Sequence, residues 1–599
     1  MTGFHAPLRD IDFILYDLFD YEAHCQVLPG GGDLNRELAT AILTENARFC
    51  QDVLAPLNAP GDTQGCRWEA GQVHTPEGFK EAYHQYCEAG WPSMTHSSEY
   101  GGQGLPFSLG LVLGEMLGSA NSAWSMYSGL SQGAMHTIEA HGTEDQRQTY
   151  LPPLVSGQWT GTMCLTEAHC GSDLGLLRTR AEPHADGSYR ITGTKIFISA
   201  GDHDLAENIV HIVLARLPDA PAGTKGLSLF IVPKYQVNAD GTPGGHNHVH
   251  CGSIEHKMGI HGNATCVLNF EGATASLLGE ANKGLSGMFT FMNLARLGTG
   301  TQGLALAESA LQKAVAYTRE RLQMRSLTGP KNPQGIADPI IVHPDIRRLL
   351  LTQKALVEGA RMLAYFAALQ IDISHHGAEP SARRQADELL GILTPIAKAF
   401  MTETAFESAN HALQCFGGHG YIREWGLEQI VRDVRITSLY EGTTGIQALD
   451  LLGRKVLMSQ GQALQGLFRL IEDFCAGHAD NPALAHFCRS LVEHKNEWTE
   501  LTYTIGERAL HNPDEAGAAS VDYLMYSGYV TLAYLWARAA ACAQQAMEQN
   551  PEEQAFYQAK LHTADFYYAR VLPRTRSLVQ FINSGAANLM DLPESDFMF

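Results

Sequence analysis

Apolar residues recur at helical spacing along the first quarter of the chain. Residues 34–58 and 79–90 each show this spacing, and residues 98–142 add two more apolar helices rich in small residues. The pattern predicts an N-terminal helical domain over residues 37–160. Small residues permit close helix packing, and they would equally leave room for an apolar ligand beside residues 127–131.

The spacing changes near Thr160, where short runs of β-branched and aromatic residues begin, bounded by Gly, Asp and Asn. These runs occupy residues 160–175, 188–201, 208–217, 225–234 and 264–272. They predict a β domain over residues 161–281, folded as an antiparallel barrel or sandwich and inserted between helical domains.

Helical spacing returns at Gly284. It continues through residues 284–325, 344–373 and 386–418. Three long antiparallel helices, together with the helix after Glu441, would form a four-helix bundle over residues 282–457.

The two ends of the chain extend this helical framework. Residues 1–36 form an aromatic-rich segment whose turn at Pro29-Gly30-Gly31-Gly32 separates it from the rest. We expect it to pack on the protein rather than form a loose tail. Residues 458–599 predict an additional helical domain, and they contain no internal repeat.

Charge and cysteine content narrow the class of protein. With 42 Lys and Arg against 64 Asp and Glu, the net charge of −22 repels nucleic acid and anionic membranes. No run reaches the ~18 uninterrupted apolar residues of a membrane span. The 12 Cys are scattered, and the N-terminus has no basic stretch followed by an apolar run. We therefore expect a cytoplasmic protein that neither binds nucleic acid nor crosses a membrane.

Metal and nicotinamide sites are not indicated. The densest histidine group, His246, His248 and His250, lies in a glycine-rich loop, where histidines are more often solvated than ligating. The cysteines show no haem or iron–sulfur spacing, so we predict no metal. Residues 298–303 match GxGxxG in letters, but they lie inside a helical pattern rather than between a strand and a helix.

Glu441 is a candidate catalytic base. It follows Leu439-Tyr440 and precedes Gly442-Thr443-Thr444, where a helical pattern gives way to a hydroxyl-rich turn. A carboxylate flanked by apolar and aromatic residues loses hydration, which makes it a better acceptor for a carbon-bound proton. A surface glutamate at a helix end would show the same local pattern, so the assignment depends on residues upstream.

A series of short motifs supplies that context. They are residues 98–105 (SEYGGQGL), 165–173 (LTEAHCGSD), 193–201 (GTKIFISAG), 321–323 (RLQ), 414–420 (QCFGGHG) and 440–443 (YEGT). In type and order they resemble the signatures of the acyl-CoA dehydrogenase family, from about residue 98 to residue 455. The two terminal additions look most like the bacterial branch that includes 3-methylmercaptopropionyl-CoA dehydrogenases and related fatty acyl-CoA dehydrogenases.

The resemblance implies a mostly α-helical, acyl-CoA dehydrogenase-like fold with a β insert, and it implies FAD. In the family, the strand and turn motifs present backbone and hydroxyl groups to the flavin, an arginine pairs with the pyrophosphate, and a glycine loop admits the adenosine half. The positions of this sequence that match are Thr166, Ser172, Phe197, Ser199, Arg321, Gln414, Gly417, Gly418 and Thr443.

The resemblance also implies a substrate site around the base. Its residues here would be Ser172, Asn293, Arg296, Gly442 and Arg454. The sequence departs from the family in three places. Met324-Arg325 replaces the usual Phe-Gly after the RxQ motif, Asn293 stands where Asp is more common, and Arg454 falls one place late.

The implied reaction is α,β-dehydrogenation of an acyl-CoA to the trans-2-enoyl-CoA, with Glu441 as base and hydride passing from Cβ to the flavin. Electron-transfer flavoprotein would be the electron acceptor. An acyl-CoA oxidase that passes electrons to O₂ is one alternative. The family's DNA-associated, non-catalytic branch is another, and the acidic net charge disfavours it.

Substrate length and assembly complete the expectations. Gly445 near the base, with Ser119, Ala120 and Ser122, would suit a medium or long acyl chain, although such small residues also favour tight helix packing. A short thioether acyl group is the second candidate. Because the family binds FAD across a subunit boundary, we expect a homodimer, with the added C-terminal helices covering the face that tetrameric relatives use.

Overall fold

The computed structural model describes residues 3–28 and 34–598, so the turn predicted at Pro29 to Gly32 lies outside the described residues. The chain divides into two compact units. The first comprises Pro7–Thr40 and Thr299–Phe599, and the second comprises Gly3–Ala6 and Ala41–Gly298. The predicted division into five parts is finer than this one and stays a prediction.

The secondary structure is mostly helical with one block of strands. The α-helices are α1 (Leu8–Asp12), α2 (Tyr21–Gln26), α3 (Arg36–Phe49), α4 (Ala55–Gln64), α5 (Phe79–Glu88), α6 (Phe107–His141), α7 (Glu144–Val155), α8 (Gly284–Glu320), α9 (Pro344–His376), α10 (Pro380–Phe416), α11 (Leu427–Arg435), α12 (Thr444–Leu449), α13 (Gln465–Gly477), α14 (Ala485–His511), α15 (Asp514–Gln549), α16 (Gln554–Phe566), α17 (Thr575–Asn583) and α18 (Ala587–Met590). The strands are β1 (Arg67–Glu69), β2 (Gln72–His74), β3 (Trp159–Cys164), β4 (Arg180–Pro183), β5 (Tyr189–Ser199), β6 (Asn208–Arg216), β7 (Leu227–Pro233), β8 (Tyr235–Val237), β9 (Pro243–His246), β10 (Val249–Ile254) and β11 (Thr265–Leu278). The predicted class, mostly α with a β insert, is confirmed.

In the second unit, the two apolar helices predicted before residue 142 correspond to the two segments of α6, which meet at a kink. Helix α6 is interrupted at Asn121, whose φ of −155° and ψ of 91° are not helical. The Asn121 side chain accepts a hydrogen bond from the Trp124 backbone N–H at 3.1 Å, as a capping residue does. The kink therefore has a local cause, because Asn121 ends one helical segment and caps the next.

The strands of the second unit close into a ring. Strand β11 pairs with β5, β5 with β4, β4 with β6, β6 with β7, and β7 returns to β11. This closure makes a barrel, to which β10 and β3 add at the sides. Most pairs are antiparallel, but β3 and β4 each run parallel to β6, because the intervening strands let the chain re-enter in the same direction.

Strand β6 shows why its sequence is a continuous apolar run. Val213 and Ala215 face the barrel interior beside Phe230 of β7, while Ile212 and Leu214 face the opposite side. That second side packs against α6 and α7. A strand buried on both faces has no solvent side on which to place polar residues.

In the first unit, helices α8 to α10 form the long part of the predicted bundle. The fourth helix is short: α12 ends at Leu449 and passes into a π-helical stretch, Asp450–Leu457. Among the described residues, one helical stretch, Pro380–Tyr421, is long and apolar enough to cross a membrane, and 72% of its most apolar window is buried inside the protein. Buried core helices pass the same test, so this is weak evidence for a span.

The C-terminal helices pack on the bundle, as expected. Helix α15 approaches α9 at Gly359, where an added Cβ would lie 2.8 Å from Leu532. The Trp536 indole N–H donates to the Ala355 carbonyl at 3.0 Å. Both large side chains are fully buried. The extension is therefore part of the core of this unit rather than an attached separate body.

The N-terminal segment is joined to the bundle and the extension by a cluster of six charges, five of them buried and the sixth, Lys354, with a side chain 34% exposed. Its members are Asp10, Glu308, Lys354, Glu358, Arg361 and Lys560. Arg361 contacts Asp10 and also Glu308, the latter at 2.6 Å, while Lys560 contacts Asp10 and also Glu358 at 2.8 Å. Three positive charges balance three negative ones, so the cluster is stable only while each partner is present.

Removal of the Asp10 charge tests this arrangement. Burial disfavours the charged form of Asp10, but Lys560 and Arg361 outweigh burial and hold its pKa below the usual range. Asp10→Asn should lower the free energy of unfolding by about 3–5 kcal/mol, because it leaves an uncompensated buried positive charge. Asp12→Asn is the matched control: Asp12 pairs with Arg36 at 2.8 Å near the surface, and its loss should cost no more than about 1 kcal/mol. Equal effects of the two variants in urea unfolding would show that Asp10 stabilises the fold no more than a charge near the surface does.

Candidate active site

The loop Tyr440 to Thr444 lies between a 3₁₀ turn, Ile436–Ser438, and helix α12. Glu441 is half-buried, with a left-handed φ of 56°, and Gly442 follows with a φ of 88°. A left-handed glutamate is uncommon and persists only where the surroundings hold it. The residues that hold it are therefore part of the site.

Two side chains bind the carbonyls of this loop. Lys398 of α10, which is fully buried, donates from Nζ to the Gly442 carbonyl at 2.7 Å. Gln447 of α12, also buried, donates from Nε2 to the Glu441 carbonyl at 3.1 Å. A Cβ at position 442 would lie 2.5 Å from Gln447 Nε2, so this close approach requires glycine.

Sequence reasoning missed both donors. Lys398 lies 44 residues before Gly442 in an ordinary helical pattern. A lysine within an apolar helical stretch was the one available signal, since a buried lysine needs a partner.

Tyr440 and Thr443 occupy opposite ends of the loop. The Tyr440 hydroxyl donates to Gln302 Oε1. Burial, and then the neighbouring Glu441 charge, raise the pKa of Tyr440 above its usual range. Thr443 caps α12, because its Oγ1 accepts from the Ile446 N–H at 3.3 Å. The expected apolar flank is supplied by Tyr440 alone, since Leu439 is 47% exposed.

The glycine loop after α10 is open to solvent. Gly417 has a φ of 58°, and a Cβ at Gly417 or at Gly418 would meet no atom within 4 Å. Gln414 and Arg321 are also exposed, and the Arg321 guanidinium makes no ion pair with any residue that the structure describes. Beside the loop, the rings of Tyr317 and Phe416 stack at 4.0 Å. The exposed backbone and cation fit a phosphate-bearing ligand.

In the second unit, the segment with Thr166 is tied to strand β5. The Thr166 carbonyl accepts from the Ile196 N–H at 2.9 Å. Next to it, the buried Lys195 ammonium contacts Glu167 Oε1 at 3.0 Å and the Leu165 carbonyl at 2.9 Å. This ion pair, which sequence reasoning missed, fixes the two motifs LTE and GTK against each other.

The other predicted flavin residues of this unit lie nearby along the chain. Phe197 is 59% exposed on β5, with a left-handed φ of 59°. Ser199 is half-buried, and Ser172 is exposed in the turn that precedes a 3₁₀ helix. Because Phe197 is exposed and lies on strained backbone, it does not pack in the core, and it fits a role in which it faces a ligand.

The remaining predicted substrate residues differ in their surroundings. Asn293 is exposed on α8, whereas Arg296 on the same helix is 6% exposed and lies 5.8 Å from the Phe289 ring centroid. Arg454 pairs with Asp450 one turn earlier, with Nε 2.6 Å from Oδ1. Glu441, Gly442 and Thr443 are thus brought together in one loop, while Arg454 is turned to an ion pair on its own helix.

Two groups of side chains lie close enough to share an ion, although no metal was expected. One contains His96, His136 and Glu139, and the other contains Glu167, His169 and Cys170. Glu167 is already bound by Lys195. In the first group, Gln132 accepts from the His96 ring at 2.6 Å.

Family models match nearly the whole chain. The acyl-CoA dehydrogenase N-terminal, middle and C-terminal domain models match residues 37–158, 162–273 and 282–457. The acetyl-CoA dehydrogenase C-terminal-like model matches residues 467–593. The chain belongs to the acyl-CoA dehydrogenase family. It is therefore an FAD-dependent oxidoreductase of the acyl-CoA dehydrogenase kind.

Two curated relatives align over essentially their full length. The 3-methylmercaptopropionyl-CoA dehydrogenase of Ruegeria pomeroyi is 41% identical over 573 residues, which cover 95% of this chain and 96% of the relative. The broad-specificity linear acyl-CoA dehydrogenase FadE5 of Mycobacterium tuberculosis is 33% identical over 619 residues and 100% of each chain. The predicted resemblance, including the terminal additions, is confirmed.

A solved structure shows the same fold. Caenorhabditis elegans ACDH-11, crystallised in complex with C11-CoA, superposes with a TM-score of 0.75 at 19% identity, over 94% of this chain and 91% of that one. The shared architecture includes the C-terminal helical addition.

The residues of each unit fit FAD. In the second unit, the exposed Phe197 ring and the Thr166 and Ser172 hydroxyls offer a face and hydrogen-bonding groups to a flavin ring. In the first unit, the open glycines 417 and 418 and the exposed Arg321 suit the adenosine and pyrophosphate portions.

The Glu167–Lys195 pair predicts a pH dependence. Burial opposes ionisation of Glu167, but the Lys195 ammonium and hydrogen bonds from Thr179 and Arg178 outweigh it and lower the pKa of Glu167 to about 2. Because this pKa is depressed in the folded state, its stabilisation is present above about pH 4.5 and is lost as the pH falls toward 2. Glu167→Gln should therefore flatten the decline of the free energy of unfolding over this range in urea titrations. A variant with the same slope as the wild type would contradict the assignment.

Proposed function

We propose that the protein converts an acyl-CoA thioester to the trans-2-enoyl-CoA, with Glu441 as the base that removes the α-proton. The observation that carries the proposal is the Glu441–Gly442 turn, where a half-buried carboxylate sits on left-handed backbone held by Lys398 and Gln447. Such strain is found at functional sites more than on ordinary surface.

Removal of the α-proton needs a hydrogen-bond donor to the thioester carbonyl and a base beside Cα at the same place. The α-proton of a thioester is weakly acidic, so the carbonyl must be polarised while a base waits beside Cα. We propose that the Glu441 backbone N–H donates to the thioester oxygen while its carboxylate accepts the proton. FAD, when bound, supplies the acceptor for the hydride that leaves Cβ. The fixed turn keeps donor and base in one geometry.

Glu441→Gln tests the base directly. The amide keeps the shape of the side chain but cannot accept the proton, so anaerobic mixing of the FAD-loaded variant with acyl-CoA should bleach the flavin at least about a hundredfold more slowly than the wild type does. Stopped-flow absorbance gives the rate, and acyl-CoA binding to the variant provides the control for folding. Bleaching at the wild-type rate would rule out Glu441 as the base.

The two alternatives make different predictions for the same preparation. An oxidase would form peroxide at a rate comparable to turnover with an artificial acceptor. A DNA-associated protein would be retained by duplex DNA in a salt-sensitive manner, which the net charge of −22 disfavours. We propose the dehydrogenase, with electron-transfer flavoprotein as the acceptor of its electrons. Reduction of NAD⁺ by the isolated enzyme would contradict that choice of partner.

Location in the cytoplasm is part of the proposal. All 12 cysteines are free thiols, which fits a reducing compartment. In that compartment the enzyme would act in fatty acid β-oxidation or the breakdown of related short acyl groups.

The acyl group is proposed as a medium or long fatty chain, with a short thioether acyl group as second candidate. A side chain at Gly445 would have space, since the nearest atom to an added Cβ is Thr443 Oγ1 at 3.9 Å. Ser119, Ala120 and Ser122, however, are buried by the packing of α6 and lend no support to a long tunnel. The Ruegeria relative, whose name specifies 3-methylmercaptopropionyl-CoA, favours the second candidate. Dye reduction with acyl-CoAs of increasing length, with the thioether included, separates the two.

A homodimer is the proposed assembly. Arg321 and the loop of Gln414, Gly417 and Gly418 are exposed, as they must be to serve a partner's flavin. Large apolar side chains near them in the sequence are also exposed, among them Leu327 at 91% and Tyr421 at 81%. Exposed apolar residues in such numbers favour a protein interface.

Light scattering should give about twice the 65.3 kDa chain mass, because the C-terminal helices occupy the outer face of α9 and α10. Truncation near residue 460 should expose that face and cause aggregation or tetramer formation. A full-length mass near four chains would contradict the homodimer. A truncated protein that stays soluble, active and dimeric would show that the extension has a purpose other than covering this face.

A further inference from the structure

Helix α10 is hydrogen-bonded at two points to the loop Tyr440 to Thr444, here called the base loop because it carries Glu441. Lys398 donates to the Gly442 carbonyl at 2.7 Å, and Glu403 accepts from the Thr444 hydroxyl at 2.5 Å. Both side chains come from less than two turns of the helix. The position of this part of α10 therefore determines the position of the loop that carries Glu441.

Helix α15 of the C-terminal extension packs on the same part of α10. Phe400, which lies between Lys398 and Glu403, is fully buried against Gly528 of α15. A Cβ at Gly528 would lie 2.2 Å from Cδ2 and 2.3 Å from Cγ of the Phe400 ring. The ring has little freedom to yield, because Tyr529 meets it edge-on with centroids 4.9 Å apart. Helices α15 and α10 can therefore lie this close together only because position 528 has no side chain.

A second contact holds the extension on α10. Arg574 makes a bidentate pair with Glu407 of α10, at 2.8 and 2.7 Å, and also donates to the Tyr529 hydroxyl at 3.2 Å. Helix α12, which follows the base loop directly, also packs on α15. The extension therefore contacts both the helix that binds the loop and the helix into which the loop leads.

We propose that the C-terminal extension positions the catalytic base, and that Gly528 is the residue through which it does so. The proposal rests on the proposed function, in which Glu441 is the base. The contact between Gly528 and Phe400 fixes the position of α10. Through Lys398 and Glu403, α10 in turn fixes the position of the loop that carries Glu441. Gly528 is a positioning residue, since it touches neither substrate nor cofactor in this account.

Gly528→Ala tests the proposal in the FAD-loaded, full-length enzyme. The added methyl group should displace Phe400 and α10, and a shift of a few tenths of an ångström at the base should lower kcat about tenfold while KM changes less than about twofold. The isotope effect with α-deuterated acyl-CoA should rise, because proton removal becomes more rate-limiting. Amide hydrogen exchange over residues 439–447 should also rise.

Gly517→Ala is the matched control. Gly517 lies on the same helix, and a Cβ there would meet no atom within 4 Å. This variant should keep the wild-type kcat, isotope effect and exchange rates. Phe400→Leu should by itself lower kcat, because α10 loses its contact. Combined with Gly528→Ala, it should restore kcat, because the smaller side chain makes room for the methyl group.

These measurements distinguish a failure of the positioning role of Gly528 from a failure of the proposed dehydrogenase function. If Gly528→Ala retains the wild-type kcat and isotope effect, the inference is wrong, and the proposed function stands as long as the wild type still bleaches its flavin. If Gly528→Ala does not fold, Phe400→Leu decides: a wild-type kcat and unchanged exchange over the loop would overturn the inference. If the wild type itself does not bleach with any acyl-CoA, it is the proposed function that fails.

Discussion

The left-handed turn at Glu441 and Gly442 depends on hydrogen bonds to two successive carbonyls. Lys398 and Gln447 supply these bonds from two different helices, and each is buried. A buried lysine ammonium without a partner would destabilise the fold. The hydrogen bond between Lys398 and the Gly442 carbonyl therefore stabilises both the buried ammonium and the turn. Strain in the turn and burial of the donor are therefore mutually dependent, and the geometry of the turn depends on the packing of α10 and α12.

That packing extends outward to the two ends of the chain. Helix α15 lies on α9 and α10, and the six-charge cluster joins the N-terminal segment to α9 and α16 through Asp10 and Lys560. Charges buried in this way confer little stability by themselves, but the removal of one member leaves the others uncompensated. The added terminal segments are thus bound to the enzyme core by interactions that tolerate few substitutions.

The sequence allowed the helical and β regions and the family to be predicted, because periodicity and motif order are local properties. The role of Glu441 as the base stays a prediction. It did not allow prediction of the Asn121 kink or of the parallel β3–β6 pair, which depend on a single cap and on a long chain excursion. Lys398 was also missed, since its partner lies 44 residues away and only the fold brings them together. The roles of Ser172, Arg296 and Arg454 stay predictions.

In the proposed function, this chain removes two hydrogens from an acyl-CoA and places the electrons on its flavin. Anaerobic titration of the FAD-loaded protein with acyl-CoA, followed by visible absorbance and by mass spectrometry of the thioester, measures both halves of this reaction. We expect the flavin to bleach with about one equivalent per chain and the recovered thioester to be lighter by two hydrogens. An oxidised flavin and an unchanged thioester, across fatty and thioether acyl groups alike, would contradict the proposed function.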